Sequence, residues 1–114
     1  MNLAEIIKRM NLKLLTEEKD FSQIKPSGGY TSDLLSCVMA GAPPEGIWVT
    51  LQAHNNIVAV AALRDLAAVI ITEGAMPDPV TIAKANEENI TLLSTDQSSF
   101  FTCGTLWEMG LKMA

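Results

Sequence analysis

The second half of the chain carries three matching apolar blocks. Ile47-Trp48-Val49-Thr50-Leu51, Ala68-Val69-Ile70-Ile71-Thr72 and Thr91-Leu92-Leu93-Ser94 are short apolar runs that each contain or end on a hydroxyl residue. Thr50, Thr72 and Ser94 recur at intervals of 22 residues, and each precedes a polar loop and a helix-forming segment. The runs are continuous rather than alternating, which marks strands buried on both faces. Three such strand–loop–helix units predict an α/β fold, a mainly parallel sheet flanked by helices, with right-handed crossovers.

The helix signals fit this rhythm. His54-Asn55-Asn56 leads a helix through Leu66, and Asp78 caps one with Pro79 at its first position that runs to about Glu88. Ser98 or Ser99 starts the last helix, which reaches about Met109. In the first half, Asn2 caps a helix whose Leu3, Ile6, Ile7 and Met10 follow the i, i+3, i+4, i+7 rule, and Asn11 ends it. Leu12 to Leu15 reads as a short strand. Thr16 to Lys25 is polar, with Phe21 and Ile24 as anchors, and reads as a loop with room for another short strand. Ser32 is a good N-cap for a helix from Asp33 to Met39 or Ala40, where Asp33 favours the dipole of the first turn. Gly41-Ala42-Pro43-Pro44-Glu45-Gly46 ends that helix.

One helix departs from the usual surface pattern. Ile57-Val58-Ala59-Val60-Ala61-Ala62-Leu63 is apolar on every side, so the sheet alone does not cover it. Either a second subunit completes the cover, which predicts a homodimer, or the N-terminal helix Leu3 to Met10 does so.

At 114 residues the chain is one domain, spanning 1–114, with a helix over 1–10 and a core over about 10–110. Apolar residues make up 48% and charged residues 18%, which excludes a disordered chain. A net charge of −5 argues against binding to nucleic-acid phosphates. No apolar run approaches the ~20 residues that cross a bilayer, and the start of the chain lacks a signal-peptide pattern. The expectation is a cytoplasmic protein without membrane contact. Cys37, Cys103 and the lone His54 make no zinc set. The thiols are expected to be buried or half-buried, with a redox role left open, and no metal or cofactor is implied.

In open parallel sheets, ligands bind beyond the carboxyl ends of the strands. The candidates there begin with Gly28, Gly29, Tyr30, Thr31 and Ser32, where the glycines admit positive φ or a close approach by another backbone. Thr50, Gln52, His54, Asn55 and Asn56 follow the first repeated strand. Thr72, Glu73 and Gly74 follow the second, and Ser94, Thr95 and Asp96 the third. Hydroxyl, amide and backbone N–H groups suit a small polar or anionic ligand. The same residues also serve as caps and turn formers in any α/β domain. Catalysis has little support. There is no nucleophile elbow and no P-loop, and an enzyme would have to use His54 with Asp33 or Asp96. Glu17-Glu18 and Glu87-Glu88 read as solvated surface, and Phe100, Phe101, Trp107 and Met109 as core or interface.

Pro26-Ser27-Gly28-Gly29-Tyr30, Ser32-Asp33-Leu34-Leu35-Ser36, Ile47-Trp48-Val49-Thr50, His54 through Ala61 and Leu93-Ser94-Thr95 together resemble a DRTGG domain, over roughly residues 10 to 110. The name-giving motif falls at Lys25-Pro26-Ser27-Gly28-Gly29. Its glycines match, Ser27 stands for threonine, and Lys25 and Pro26 replace the acidic and basic residues, so a role resting on that charge pair does not carry over. The domain is similar to the N-terminal domain of HPr kinase/phosphorylase and accompanies CBS domains, some family II pyrophosphatases and phosphotransacetylase domains. The resemblance implies the α/β fold shared by that kinase's N-terminal domain and that of MurF. It also implies self-association and a regulatory role, with a partner enzyme or sensor protein in anaerobic metabolism. The kinase activity itself does not carry over, because its P-loop lies in another domain. The expected function is a non-catalytic, homodimeric regulatory module that senses a nucleotide or small phosphorylated metabolite. The alternative is a protein–protein interaction or dimerisation module with no small-molecule ligand.

Overall fold

The structure, a computed structural model, describes residues 1–112; residues 113 and 114 of the expected domain lie outside it. The chain runs through α1 (Leu3–Arg9), β1 (Lys13–Leu14), a 3-10 turn (Phe21–Gln23), β2 (Gly29–Thr31), α2 (Leu35–Gly41) and β3 (Ile47–Thr50). It continues through α3 (Asn56–Leu63), β4 (Ala68–Ile71), α4 (Pro79–Glu87), β5 (Leu92–Ser94) and α5 (Ser99–Glu108). The sheet order is β1-β5-β4-β3-β2. Strands β2 to β5 are parallel neighbours, and β1 alone runs antiparallel, against β5. The α/β expectation holds, and the glycine-bearing strand β2 joins the parallel set.

Sequential order among parallel strands puts every right-handed crossover on the same face. Accordingly Trp48, Val69, Ile71 and Leu92 turn to one side, where Val38 of α2, Ile57 and Ala61 of α3 and Ala85 of α4 cover them. Ile47, Val49, Ile70 and Leu93 turn to the other side, and the chain ends cover that one. Leu3 and Ile6 come from α1, and Leu106 from α5. Helix α1 therefore does not cover α3. Instead α3 lies in a layer with α2 and α4, which with the sheet buries Ile57, Val58, Val60 and Ala61. Ala59 and Ala62 face outward, beside Leu63 at 72% exposure.

The caps explain where helices begin. Asn2 Oδ1 accepts the Glu5 N–H at 2.9 Å, Asp78 Oδ1 that of Thr81 at 2.8 Å, and Ser98 Oγ that of Phe101 at 3.1 Å. The Thr81 backbone N–H, and then its side chain, hold the Asp78 carboxyl below its ordinary value of 3.8. A depressed carboxyl stabilises the fold above its unfolded value, and that contribution is lost as pH falls through the folded one. Several boundaries differ from expectation. Helix α2 starts at Leu35, because the Ser32 hydroxyl accepts the Leu34 N–H at 3.1 Å and holds a turn before it. Helix α3 stops at Leu63, and Asp65 reverses the chain at φ 54°. The segment from Thr16 to Lys25 forms the 3-10 turn rather than a strand. One burial expectation fails, and so does the core half of the core-or-interface expectation for α5. Cys37 is exposed and only Cys103 is half-buried, both as free thiols. Helix α5 buries Thr102 and Leu106 instead of its aromatics, leaving Phe100 91% exposed. Phe101 and Trp107 are also exposed, and of the four residues only Met109 packs against the core.

Gly46, beside the glycine pair, has a packing role. Gly28 O accepts the Ile47 N–H at 2.9 Å, where β2 begins beside β3. A Cβ on the neighbouring Gly46 would lie 2.9 Å from both the Pro43 ring and the Pro43 carbonyl, and 3.2 Å from Gly28 O. Backbone cannot yield there cheaply. Gly46→Ala is expected to destabilise the protein by about 1–3 kcal/mol in urea unfolding; an unchanged midpoint would remove this account of the close approach.

Candidate functional site

Parallel strands aim their carboxyl ends at one rim, and Thr31, Thr50, Thr72 and Ser94 share it. The Thr72 N–H bonds to Thr50 O at 2.9 Å, and the Thr95 N–H to Ile71 O at 2.9 Å, so the ladder extends into the rim loops.

Much of the rim is occupied by its own side chains. Asp33 Oδ1 accepts both the Thr50 hydroxyl at 2.7 Å and the Leu51 N–H at 3.0 Å. Gln52 Nε2 donates to Asp33 O at 3.2 Å. The Thr31 hydroxyl donates to Val49 O, and Trp48 Nε1 to Ser32 O. Asp33 thus ties the β2 loop to the β3 loop instead of opening α2. At the start of α3, His54 Nδ1 accepts the Asn56 N–H at 3.3 Å, and His54, Asn55 and Asn56 are all exposed.

A second carboxylate acts the same way at the next loop. Glu73 and Gly74 both have positive φ, at 61° and 72°, and the Ala75 N–H closes the turn onto Thr72 O at 3.1 Å. That turn carries Glu73 Oε2 to the Ser99 N–H at 2.9 Å, and Thr72 Oγ1 pairs with Ser99 Oγ at 2.6 Å. The start of α5 is therefore already served by a resident anion. Two further bonds, Glu73 N–H to Gln97 O and Gly74 N–H to Thr95 O, lash the loops after β4 and β5 together.

What stays open is a polar pocket of about 380 Å³ at the β5 end of the rim. Gly74, Thr95, Asp96 and Gln97 come from the two lashed loops, with Ser94 at the strand end. Asn11 and Lys13 come from the α1–β1 connection. Lys13 reaches the rim because β1 runs antiparallel: it stands opposite Ser94 in the ladder. Asn11, at φ 52°, makes the tight reversal out of α1.

Of the residues expected at the ligand edge, Gly74, Ser94 and Thr95 line this one pocket together with Asp96. Thr31, Ser32, Thr50, Gln52 and Thr72 sit on the rim but have given their polar groups to other parts of the chain. Gly28, Gly29 and Tyr30 lie elsewhere. The strand begins at Gly29 rather than ending before it, so the pair sits at the opposite end of the sheet. Asn11, Lys13 and Gln97 escape sequence reasoning, because nothing in the residues reveals the direction of β1. Among the described residues, no group of three or more His, Cys, Asp or Glu side chains gathers to hold a metal, and no helix is long and apolar enough to cross a membrane.

No family model matches the sequence, and no curated protein matches it. Among solved structures, the chain is similar to the CBS and DRTGG domains of the regulatory region of Clostridium perfringens pyrophosphatase, a structure complexed with its activator diadenosine tetraphosphate. The TM-score is 0.72 and the identity 17%, over 90% of this chain. The two share a related fold. The match spans 44% of that regulatory-region chain, less than half its length. This likeness agrees with the DRTGG-like α/β fold that the sequence resemblance implies.

The Asp33 bridge has a measurable consequence. Asp33→Ala leaves the buried Thr50 hydroxyl and the Leu51 N–H without their acceptor, and is expected to cost about 1–3 kcal/mol. It should also accelerate hydrogen exchange at Leu51. Exchange and unfolding equal to wild type would show that the bridge holds nothing.

Proposed function

We propose that this chain is a non-catalytic regulatory module that binds a nucleotide or small phosphorylated metabolite in the pocket beside β5. The observation that carries this reading is the pocket's composition. Lys13 supplies one cation, Asn11, Thr95 and Gln97 supply amide and hydroxyl groups, and Asp96 supplies a carboxylate that suits sugar hydroxyls. The fold's likeness to a pyrophosphatase regulatory region solved with a nucleotide activator supports the same reading. A catalytic use of His54 finds little support, since its Nδ1 accepts the Asn56 N–H and Asp33 is committed to Thr50 and Leu51. Soluble phosphorylated ligands fit a cytoplasmic setting, and a partner enzyme or sensor protein would receive the signal.

The test is a thermal-shift series with nucleotides and ribose 5-phosphate. A ligand at a hundred times its dissociation constant adds about 2.7 kcal/mol of stability, enough to raise the melting temperature by several degrees. Lys13→Ala should abolish the shift while leaving the unliganded melting temperature near that of wild type. Flat traces across the series would end the sensing reading and leave the interaction module in its place.

The module acts as a homodimer in this proposal. The outer surface of α2, α3 and α4 exposes Met39, Leu63 and Val80, flanked on α3 by Ala59 and Ala62, a surface more apolar than an isolated helix layer needs. Sedimentation equilibrium at micromolar concentration should give twice 12.3 kDa, and Leu63→Glu should return the monomer. A single species at the monomer mass in the wild type would exclude the dimer.

A further inference from the structure

The pocket beside β5 does not end at its polar walls. A second hollow of about 250 Å³ lies between the end of α1 and helix α5. Met10, Asn11, Thr95 and Gln97 line both hollows. The far walls of the second are Arg9, Phe101, Thr102 and Thr105, and its character differs from that of the first. It has an exposed aromatic ring, a guanidinium group and a fully buried hydroxyl.

That hydroxyl is the informative group. Thr102 has no solvent exposure, and its Oγ1, like that of Thr91, has no hydrogen-bond partner; of the two, Thr102 lines the hollow. Buried hydroxyls are nearly always paired. One turn along, the half-buried Thr105 donates its hydroxyl to Phe101 O at 2.9 Å. Thr102 does not make the equivalent bond to Ser98 O, which already accepts the Thr102 N–H at 3.0 Å. A valine of the same shape would fill the position without an orphaned polar atom.

We infer that the second hollow receives the planar base of a 5′-nucleotide whose phosphate lies at Lys13. This rests on the ligand reading proposed above and extends it to a ligand class. The two cations differ in the way such a ligand requires. Lys13 is a compact point charge suited to phosphate, whereas Arg9 carries a planar group that stacks on rings. Phe101 offers the second stacking surface, and base–aromatic stacking tolerates any base. The shared wall of Asn11, Thr95 and Gln97 lies between, where ribose hydroxyls need amide and hydroxyl partners. The Thr102 hydroxyl can both donate to and accept from a ring edge. With no partner within the chain, it pairs only with a ligand whose ring edge reaches it. That makes it a discriminator between ligands with a base and ligands without one.

Isothermal titration calorimetry on the full chain tests this with AMP, GMP, CMP, UMP and ribose 5-phosphate. At least one nucleotide should bind tenfold or more tightly than ribose 5-phosphate. Thr102→Val and Phe101→Ala should each bring that nucleotide to within about threefold of ribose 5-phosphate, whose own affinity changes less than twofold. Thr102→Ser, which keeps the hydroxyl, should retain the advantage. Should Thr102→Val fail to fold, Phe101→Ala carries the test, since its ring is 54% exposed. Ribose 5-phosphate binding with no nucleotide advantage would overturn the base site and leave the phosphate site standing. Full nucleotide affinity in both Phe101→Ala and Thr102→Val would overturn it as well. No binding by any of the five compounds would remove both readings together.

Discussion

The sequential order of the parallel strands governs the rest of this molecule. Strands β2, β3, β4 and β5 lie side by side in chain order, so handedness sends all three crossover helices to one face. The other face carries Ile47, Val49, Ile70 and Leu93, and no crossover is left to cover it. Burying that apolar face is the dominant favourable term available to the fold, and only the chain ends can do it. Helices α1 and α5 close over it from opposite termini. The connection out of α1 then pairs as β1 along the free edge of β5, antiparallel. The pocket is a by-product of this closure. Its floor belongs to the repeated units, and its cation belongs to the segment that came back to cover the bare face.

The repeated units were legible because their signal is periodic and local. Each strand is a continuous apolar run, each ends on a hydroxyl residue, and the interval between Thr50, Thr72 and Ser94 is constant. A parallel sheet with those residues on one rim follows from pattern alone. The direction of β1 did not follow, because a two-residue strand has no pattern of its own and takes its direction from the edge it meets. The glycine pair was misleading for a related reason. Glycine-rich turns commonly follow strands in nucleotide-binding folds, yet Gly28-Gly29 lies at the start of β2, where the crowded position is Gly46 against Pro43 and Gly28 O. Aromatic residues on α5 were misleading as well. Hydrophobicity says that Phe100 can be buried, and only the helix phase, set by Thr102 and Leu106 facing the core, decides that it is not.

Helix α3 shows how composition can outrun geometry. An all-apolar helix looks as though it needs two covers, but flanking helices supply part of the second. Ile57, Val58, Val60 and Ala61 are buried between the sheet, α2 and α4. What remains outward is mostly alanine, which removes little apolar area from water when covered. The apolar surface left for a second subunit is therefore not α3 as a whole but Leu63 with the exposed residues of its neighbours, Met39 and Val80.

The placement of charge on the rim narrows what a ligand can be. In many α/β folds a phosphate takes the backbone N–H groups at a helix start. Here two helix starts are claimed by the chain's own acids, Asp78 at Thr81 and Glu73 at Ser99, and Asp33 takes the Leu51 N–H in the loop before α3. An incoming phosphate at any of these points would face a carboxylate already in the position it needs, on a chain of net charge −5. Beside β5 the rim gains Lys13, a cation that does not come from the repeated units, and there it gains amide donors as well. In the Lys13 pocket one cation and amide groups stand beside the carboxylate of Asp96. In the proposed function, selection among phosphorylated ligands falls to the residues beyond Asn11 and Thr95, on the face that the chain ends close.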